Sequence, residues 1–212
     1  MQGFAASLAA LETAHGELDR VALLALLKTA FTEGQQQARL KLEESGSGLA
    51  AVNFYAGVAD EIIAGVFTLC QKRLGAVSAL VATGGYGRRE LAPYSDIDLL
   101  FLQPEDGRAS TAAVEYMLYL LWDIGLKVGH AVRTVNECVE ESLKDITIRT
   151  TLLEARLIAG DTRLYASFEK AYQERVVKGS GLAFVAAKLK EREQRHARFG
   201  DSRYMLEPNV KE

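Results

Sequence analysis

Apolar positions along the first third of the chain recur at helical spacing. Residues 4–15 and 17–44 predict helices; Leu18, Val21, Ala22, Ala25 and Leu26 fall on one stripe, and Gln35–Glu44 is a polar, charged tail. Ser45-Gly46-Ser47-Gly48 interrupts the pattern as a flexible break. Residues 49–74 then predict a further amphipathic helix ending near Gly75. The period changes at Val77–Thr83, a short β-branched apolar run that predicts a buried strand. Gly84 and Gly85 stop it, and residues 86–95 predict a loop holding at most one helical turn. Ile97–Leu102 predicts a second strand, ended by Pro104 and Gly107. In the next helix, predicted over 111–124, Val114, Met117, Leu118, Leu121 and Trp122 share one face, with Gly125 as C-cap. Leu126–Arg133 predicts a third strand, and Thr134-x-x-Glu137 a capping box opening a short helix. Asp145 and Asp161 predict the N-caps of two more helices, closed by Gly160 and Gly179, and residues 183–199 a last, polar helix. The order implies an α+β fold: a small mixed sheet flanked by N-terminal and C-terminal helices. Three regions follow, a helical segment over 1–48, a core over 49–143 and a helical extension over 144–212.

The chemistry is concentrated between the first two strands. Asp96 and Asp98 stand at i and i+2, so an extended backbone points both side chains to one face. Two neighbouring carboxylates repel unless a cation neutralises them. Their hard oxygens suit Mg²⁺, with Mn²⁺ as the alternative; Mg²⁺ takes one or two carboxylates and completes its shell with water and substrate phosphates. Gly84 and Gly85 let backbone N–H groups approach an anion without a Cβ in the way. Arg88 and Arg89 add positive charge, Glu90 could buttress the loop through Arg88, and the Ser95 hydroxyl caps the strand entry or helps hold the carboxylate pair. Each piece alone has an ordinary reading, a plain turn or a solvated strand end. Their combination as strand, Gly-Gly, loop, Asp-x-Asp and strand points to phosphoryl or nucleotidyl transfer.

Composition narrows the partners. The 212 residues carry a formal net charge of -3, so no general basic field exists for a nucleic-acid backbone. With 49% hydrophobic and 25% charged residues the chain has ample material for a core. No unbroken apolar run reaches the ~18–20 residues of a membrane helix, and no signal-peptide pattern is visible. A soluble cytoplasmic protein, without nucleic-acid or membrane partners, is the simplest expectation. Cys70 and Cys138 are far apart, fit helical core positions and predict neither a disulfide nor a zinc site.

The run Gly84-Gly85-Tyr86-Gly87-Arg88, then Glu90-Leu91 and Pro93-Tyr94-Ser95-Asp96-Ile97-Asp98-Leu99-Leu100, resembles the signature of the nucleotidyltransferase superfamily. More narrowly, it is similar to the N-terminal region of the bifunctional enzymes that uridylylate and de-uridylylate the nitrogen-regulatory protein PII. The likeness continues through Leu121–His130, Leu152-Leu153-Glu154-Ala155-Arg156 and Glu207–Glu212. It implies a nucleotidyltransferase fold in which UTP gives UMP to a PII tyrosine, with Asp96 and Asp98 as catalytic metal ligands and Gly84, Gly85, Arg88 and Ser95 on the nucleotide. The hydrolase and glutamine-sensing domains of that family are expected to lie beyond residue 212. Two departures stand out. The family usually has glycine where this chain has Arg89. The strand after the helix also lacks the third carboxylate common in nucleotidyltransferases, leaving Asp145 as a substitute and His130 or Arg133 to face the nucleotide. Two alternatives therefore remain: a nucleotide-binding regulatory module without turnover, and the same chemistry on another acceptor.

Overall fold

The computed structural model describes residues 4–11, 18–75, 78–105 and 111–198. The predicted features at His15, Val77, Gly107 and Glu207–Glu212 fall outside them.

Two long helices form the first layer. Helix α1 (Phe4–Ala10) is short; α2 (Arg20–Ser45) and α3 (Gly48–Leu74) are joined by a two-residue break. The break is tightly specified rather than loose. Gly46 takes a left-handed φ of 63° and donates its N–H to Leu42, while Ser47 caps α3 through Ala50 N. By length and composition α3 is the one described helix able to cross a membrane, with mean hydropathy 1.4 over its most apolar stretch. The absence of a spanning segment thus holds only for unbroken runs. In this fold Ile62, Ile63, Val66 and Phe67 of α3 are buried in a protein core, and Asp60 and Glu61 interrupt the apolar stretch.

The sheet has four strands in the order β3-β2-β1-β4. Strand β1 (Ala79–Ala82) is central and antiparallel to both β2 (Ile97–Gln103) and β4 (Arg156–Gly160). Strand β3 (Val128–Thr134) runs parallel to β2, reached through α5 (Thr111–Asp123). Between β1 and β2 lies one helical turn, α4 (Gly84–Gly87). The remaining helices are α6 (Val135–Lys144), α7 (Ile146–Leu153), α8 (Thr162–Tyr172), continued by a π-helical turn over Gln173–Val177, and α9 (Gly181–Arg198). The α+β class with a mixed sheet between helices is therefore as expected.

Alternation along the strands splits the core in two. Leu80, Ala82, Ile97, Leu99 and Phe101 pack with α2, α3 and α5; Ala79, Val81, Leu100 and Leu102 pack with α6, α7 and α8. The capping box at Thr134 and Glu137 forms as predicted, and Asp145 and Asp161 cap α7 and α8. One expectation fails. The helix opened at Asp145 stops at Leu153, and Arg156–Gly160 is strand β4 instead of helix. Gly160 does not close a helix. Its φ of 98° lets the chain pass β1 so closely that a Cβ would sit 2.3 Å from the Ser78 carbonyl oxygen.

Candidate functional site

Strand β1 delivers the chain to Thr83, whose backbone N–H donates to the Asp98 carbonyl at 3.0 Å. This bond ties the two ends of the loop together. Gly84 then turns with φ 58°, a left-handed conformation that favours glycine, and α4 begins. The first amides of a helical turn have no partner within it, so those of Gly84 and Gly85 are left as donors outside the turn's own hydrogen bonds. A Cβ on Gly85 would make only an ordinary 3.5 Å contact with the Glu90 carbonyl. Glycine there is not demanded by the fold; its use is to leave the outer side of the turn open.

Asp98 sits in a slot made by two glycines. A Cβ on Gly84 would lie 3.2 Å from Asp98 Oδ2, and one on Gly129 only 2.6 Å from Oδ1. Gly129 is the register partner of Asp98 on β3. The need for glycine there was not recognised from sequence, although a strand glycine signals a close approach. Asp96 is exposed one residue before β2 and shares the face of Asp98 by alternation. Ser95 donates its hydroxyl to the Asp96 carbonyl at 3.3 Å, which supports the strand-entry role. Asp98, Gly129, Arg133, Thr83, Thr147 and Thr151 line a cavity of about 330 Å³. The hard Asp98 carboxylate on the wall of this cavity, which Leu100, Ile148 and Leu152 also line, has side-chain space cleared around it and fits a divalent cation that draws its other ligands from water and phosphate. Among the described residues no three acidic, histidine or cysteine side chains converge as a ligand group.

The arginines face other work. Arg88 donates Nε to Glu90 at 2.9 Å, as the buttress predicts, and its Nη1 meets Glu154 at 2.7 Å. Glu90 first, then Glu154, raise its pKa further. Arg89 has φ 64°, so this chain holds an arginine in the left-handed conformation that favours glycine, at the position where the resemblance leads one to expect glycine. Gly87 packs so tightly that a Cβ would fall 2.0 Å from the Glu154 carbonyl oxygen.

Of the two nucleotide-facing candidates on β3, alternation separates them. Both line the cavity, but Arg133 shares the face of Gly129 and Asp98, whereas the exposed His130 has its ring edge-on to Trp122 at 6.1 Å, toward the other face. Asp145 is likewise committed. Its carboxylate accepts the N–H groups of Thr147 at 2.6 Å and Ile148 at 3.2 Å, and these bonds lower its pKa. It serves α7 as an N-cap rather than as a third carboxylate.

Two further residues reach the loop from elsewhere. Arg156 on β4 donates Nε to the Gly87 carbonyl at 3.1 Å and Nη2 to that of Tyr86 at 3.2 Å. Its Nη1 and Nη2 also pair bidentately with Asp60 of α3, at 2.9 and 3.0 Å. The guanidinium lies 5.5 Å from the Tyr86 ring centre. The Tyr86 hydroxyl is buried without a hydrogen-bond partner; burial, then the Asp60 charge, push its pKa well up. The sequence signal was slight: a lone acidic pair in the apolar stretch of α3 and an arginine between apolar residues.

Comparison with known proteins fits this geometry. Residues 65–177 match the family described as "Nucleotidyltransferase domain", and residues 183–212 match "GlnD PII-uridylyltransferase". The "Bifunctional uridylyltransferase/uridylyl-removing enzyme" of Phenylobacterium zucineum is 48% identical over 97% of this chain, and that of Caulobacter vibrioides 46% over 97%. The Azospirillum brasilense protein of the same name is 46% identical over 93%. The chain spans only 22–23% of the length of these relatives. A solved structure, "Crystal structure of the toxin-antitoxin with AMP-PNP", is 11% identical with a TM-score of 0.33, covering 64% of this chain and 94% of the other. A likeness that low carries no weight here. The family match does, because it spans β1, the glycine turn, the paired aspartates and β3: the chain belongs to the nucleotidyltransferase family, and its nearly full-length matches are uridylyltransferase/uridylyl-removing enzymes.

Proposed function

We propose that this chain transfers UMP from UTP to a tyrosine hydroxyl of a PII-type protein, releasing pyrophosphate. The observation that carries the chemistry is the Asp98 carboxylate held between Gly84 and Gly129, beside Asp96 and at the cavity wall. The names of the relatives supply the base and the reaction class; they support uridylyl rather than another nucleotidyl group. In this reading Asp96 and Asp98 hold Mg²⁺, which would offset charge on the triphosphate and favour loss of pyrophosphate. The Gly84 and Gly85 amides bind phosphate oxygens, and Arg133 adds positive charge from the face it shares with Asp98. Arg88 acts through the loop it braces. The acceptor oxygen attacks the α-phosphorus, the bond to the bridging oxygen of the β-phosphate breaks, and the hydroxyl proton leaves to solvent. A nucleoside triphosphate donor assigns the reaction to the cytoplasm.

The test is pyrophosphate release from UTP with Mg²⁺ and a PII acceptor. Asp96→Asn and Asp98→Asn are each expected to lower kcat/KM by about 10²-fold or more, the equivalent of roughly 3 kcal/mol of lost charge stabilisation. Activity surviving both substitutions would sink the proposal. One observation favours a second reading, a nucleotide-binding module without turnover: Asp145 is occupied as a cap, and among the described residues no third carboxylate joins Asp96 and Asp98. UTP binding by calorimetry without pyrophosphate release would select it.

A further inference from the structure

We infer that Arg156, fixed by Asp60, is a positioning residue that sets the affinity of the glycine turn for the triphosphate. This rests on the nucleotide-binding reading of that turn. Three contacts from the segment Glu154–Arg156 converge on it. The Glu154 carbonyl lies where a Gly87 Cβ would be, the Glu154 carboxylate holds Arg88, and the Arg156 guanidinium takes the carbonyls of Tyr86 and Gly87. All three act on the C-terminal side of the turn and leave the Gly84 and Gly85 amides on its opposite, N-terminal side.

The chemistry of arginine explains why that residue is used. A guanidinium has five N–H donors in a rigid plane. Here four contacts engage it, two with Asp60 and two with backbone carbonyls. Its plane is therefore fixed by α3, and the carbonyls of the turn are fixed by its plane. A peptide unit is rigid, so holding the Tyr86 and Gly87 carbonyls also fixes the N–H groups of Gly87 and Arg88; these donate to the carbonyls of Thr83 and Gly84 at 3.0 and 3.2 Å, in the same peptide units that carry the Gly84 and Gly85 amides. Binding of carbonyl oxygens by a cation at the end of the turn further favours the aligned peptide dipoles that point positive toward an anion. Asp60 also lies 3.4 Å from Arg89, which draws the next residue of the loop to the same anchor. With Arg156 only 24% exposed and Asp60 16%, water competes weakly for these bonds.

Lysine retains the charge but not the planar fork, so Arg156→Lys separates positioning from simple electrostatic attraction. The experiment measures binding of UTP with Mg²⁺ to the full chain by calorimetry, together with KM for UTP and for the PII acceptor in turnover. Arg156→Lys is expected to weaken UTP binding at least tenfold and to raise the UTP KM similarly, with the acceptor KM unchanged within twofold. A loss of folded protein alone would lower kcat and leave both KM values in place. An Arg156→Lys chain that folds and binds UTP as the wild type does overturns the inference. If that variant does not fold, Asp60→Asn provides the test, since it leaves both carbonyl contacts available but loosens their anchor. It is expected to weaken UTP binding two- to fivefold, and unchanged binding overturns the inference. A wild-type chain that binds no UTP overturns the function reading instead, before any variant is compared.

Discussion

At the residue scale, the glycines of the loop are not equivalent. Gly84 needs its left-handed φ, Gly87 needs missing side-chain volume against the Glu154 backbone, Gly85 needs neither, and Gly129 across on β3 leaves room for the Asp98 carboxylate as it stands. Sequence shows all four as the same letter. It therefore points to a candidate phosphate loop without separating the positions open to a ligand from those that serve packing. Arg89 is the converse case. An L-residue at φ 64° costs roughly 1–2 kcal/mol, which glycine avoids. The 3.4 Å contact from the exposed Arg89 to Asp60 returns little of this. Allowing for the greater freedom glycine loses on folding, Arg89→Gly is expected to stabilise the chain by about 0.5–1 kcal/mol, a rise of about 2 °C in Tm. A melting curve measures it, and a drop in Tm would mean that the Asp60 contact outweighs the strain.

At the element scale, the helix caps offer a test with a pH signature. Asp145 is depressed from 3.8 by the two N–H groups of α7 that it accepts. A group with a lowered native pKa stabilises above its unfolded value and loses that contribution as pH falls through the native one. Asp145→Ala should thus melt earlier than wild type at pH 7, with the gap closing as pH falls below about 4. A pH-independent gap would show that the charge is not what matters. The same caps were legible beforehand because each is written in four adjacent residues. Strand β4 was not. Leu152, Leu153, Leu157 and Ile158 run on from α7 with no proline or glycine between, and Gly160 resembles a helix stop. Residues 156–159 are all half-buried, so no inside–outside alternation marks an edge strand. What makes it a strand is pairing with β1, far away in sequence. Arg156 stood within the family likeness, but its role was not legible for the same reason, since its partner Asp60 is 96 residues distant.

At the scale of the whole molecule, the sheet separates two cores that each enclose one cysteine. Cys70 lies on the α3 side and Cys138 on the α6 side. Burial pushes both thiols from 9.0 to about 12. Native thiolate is then about a thousandfold scarcer than in unfolded chain, so a thiol reagent at pH 8 should label neither until the fold opens. Labelling followed by peptide mass spectrometry, with and without denaturant, checks this; rapid native modification of either cysteine would contradict it. The same shift implies that stability falls as pH rises past 9, where unfolded thiols ionise and buried ones do not. The central position of β1 has a consequence in time. Its antiparallel neighbours are β2, which follows at once, and β4, synthesised about 70 residues after the glycine turn. At roughly 5–20 residues per second, a growing chain carries the complete Gly84–Asp98 segment for about 3–12 s before Arg156 exists to grip it. Through that interval one side of β1 is an open edge, free to pair with whatever strand comes near. The nascent chain is thus open to mispairing directly beside its own glycine turn.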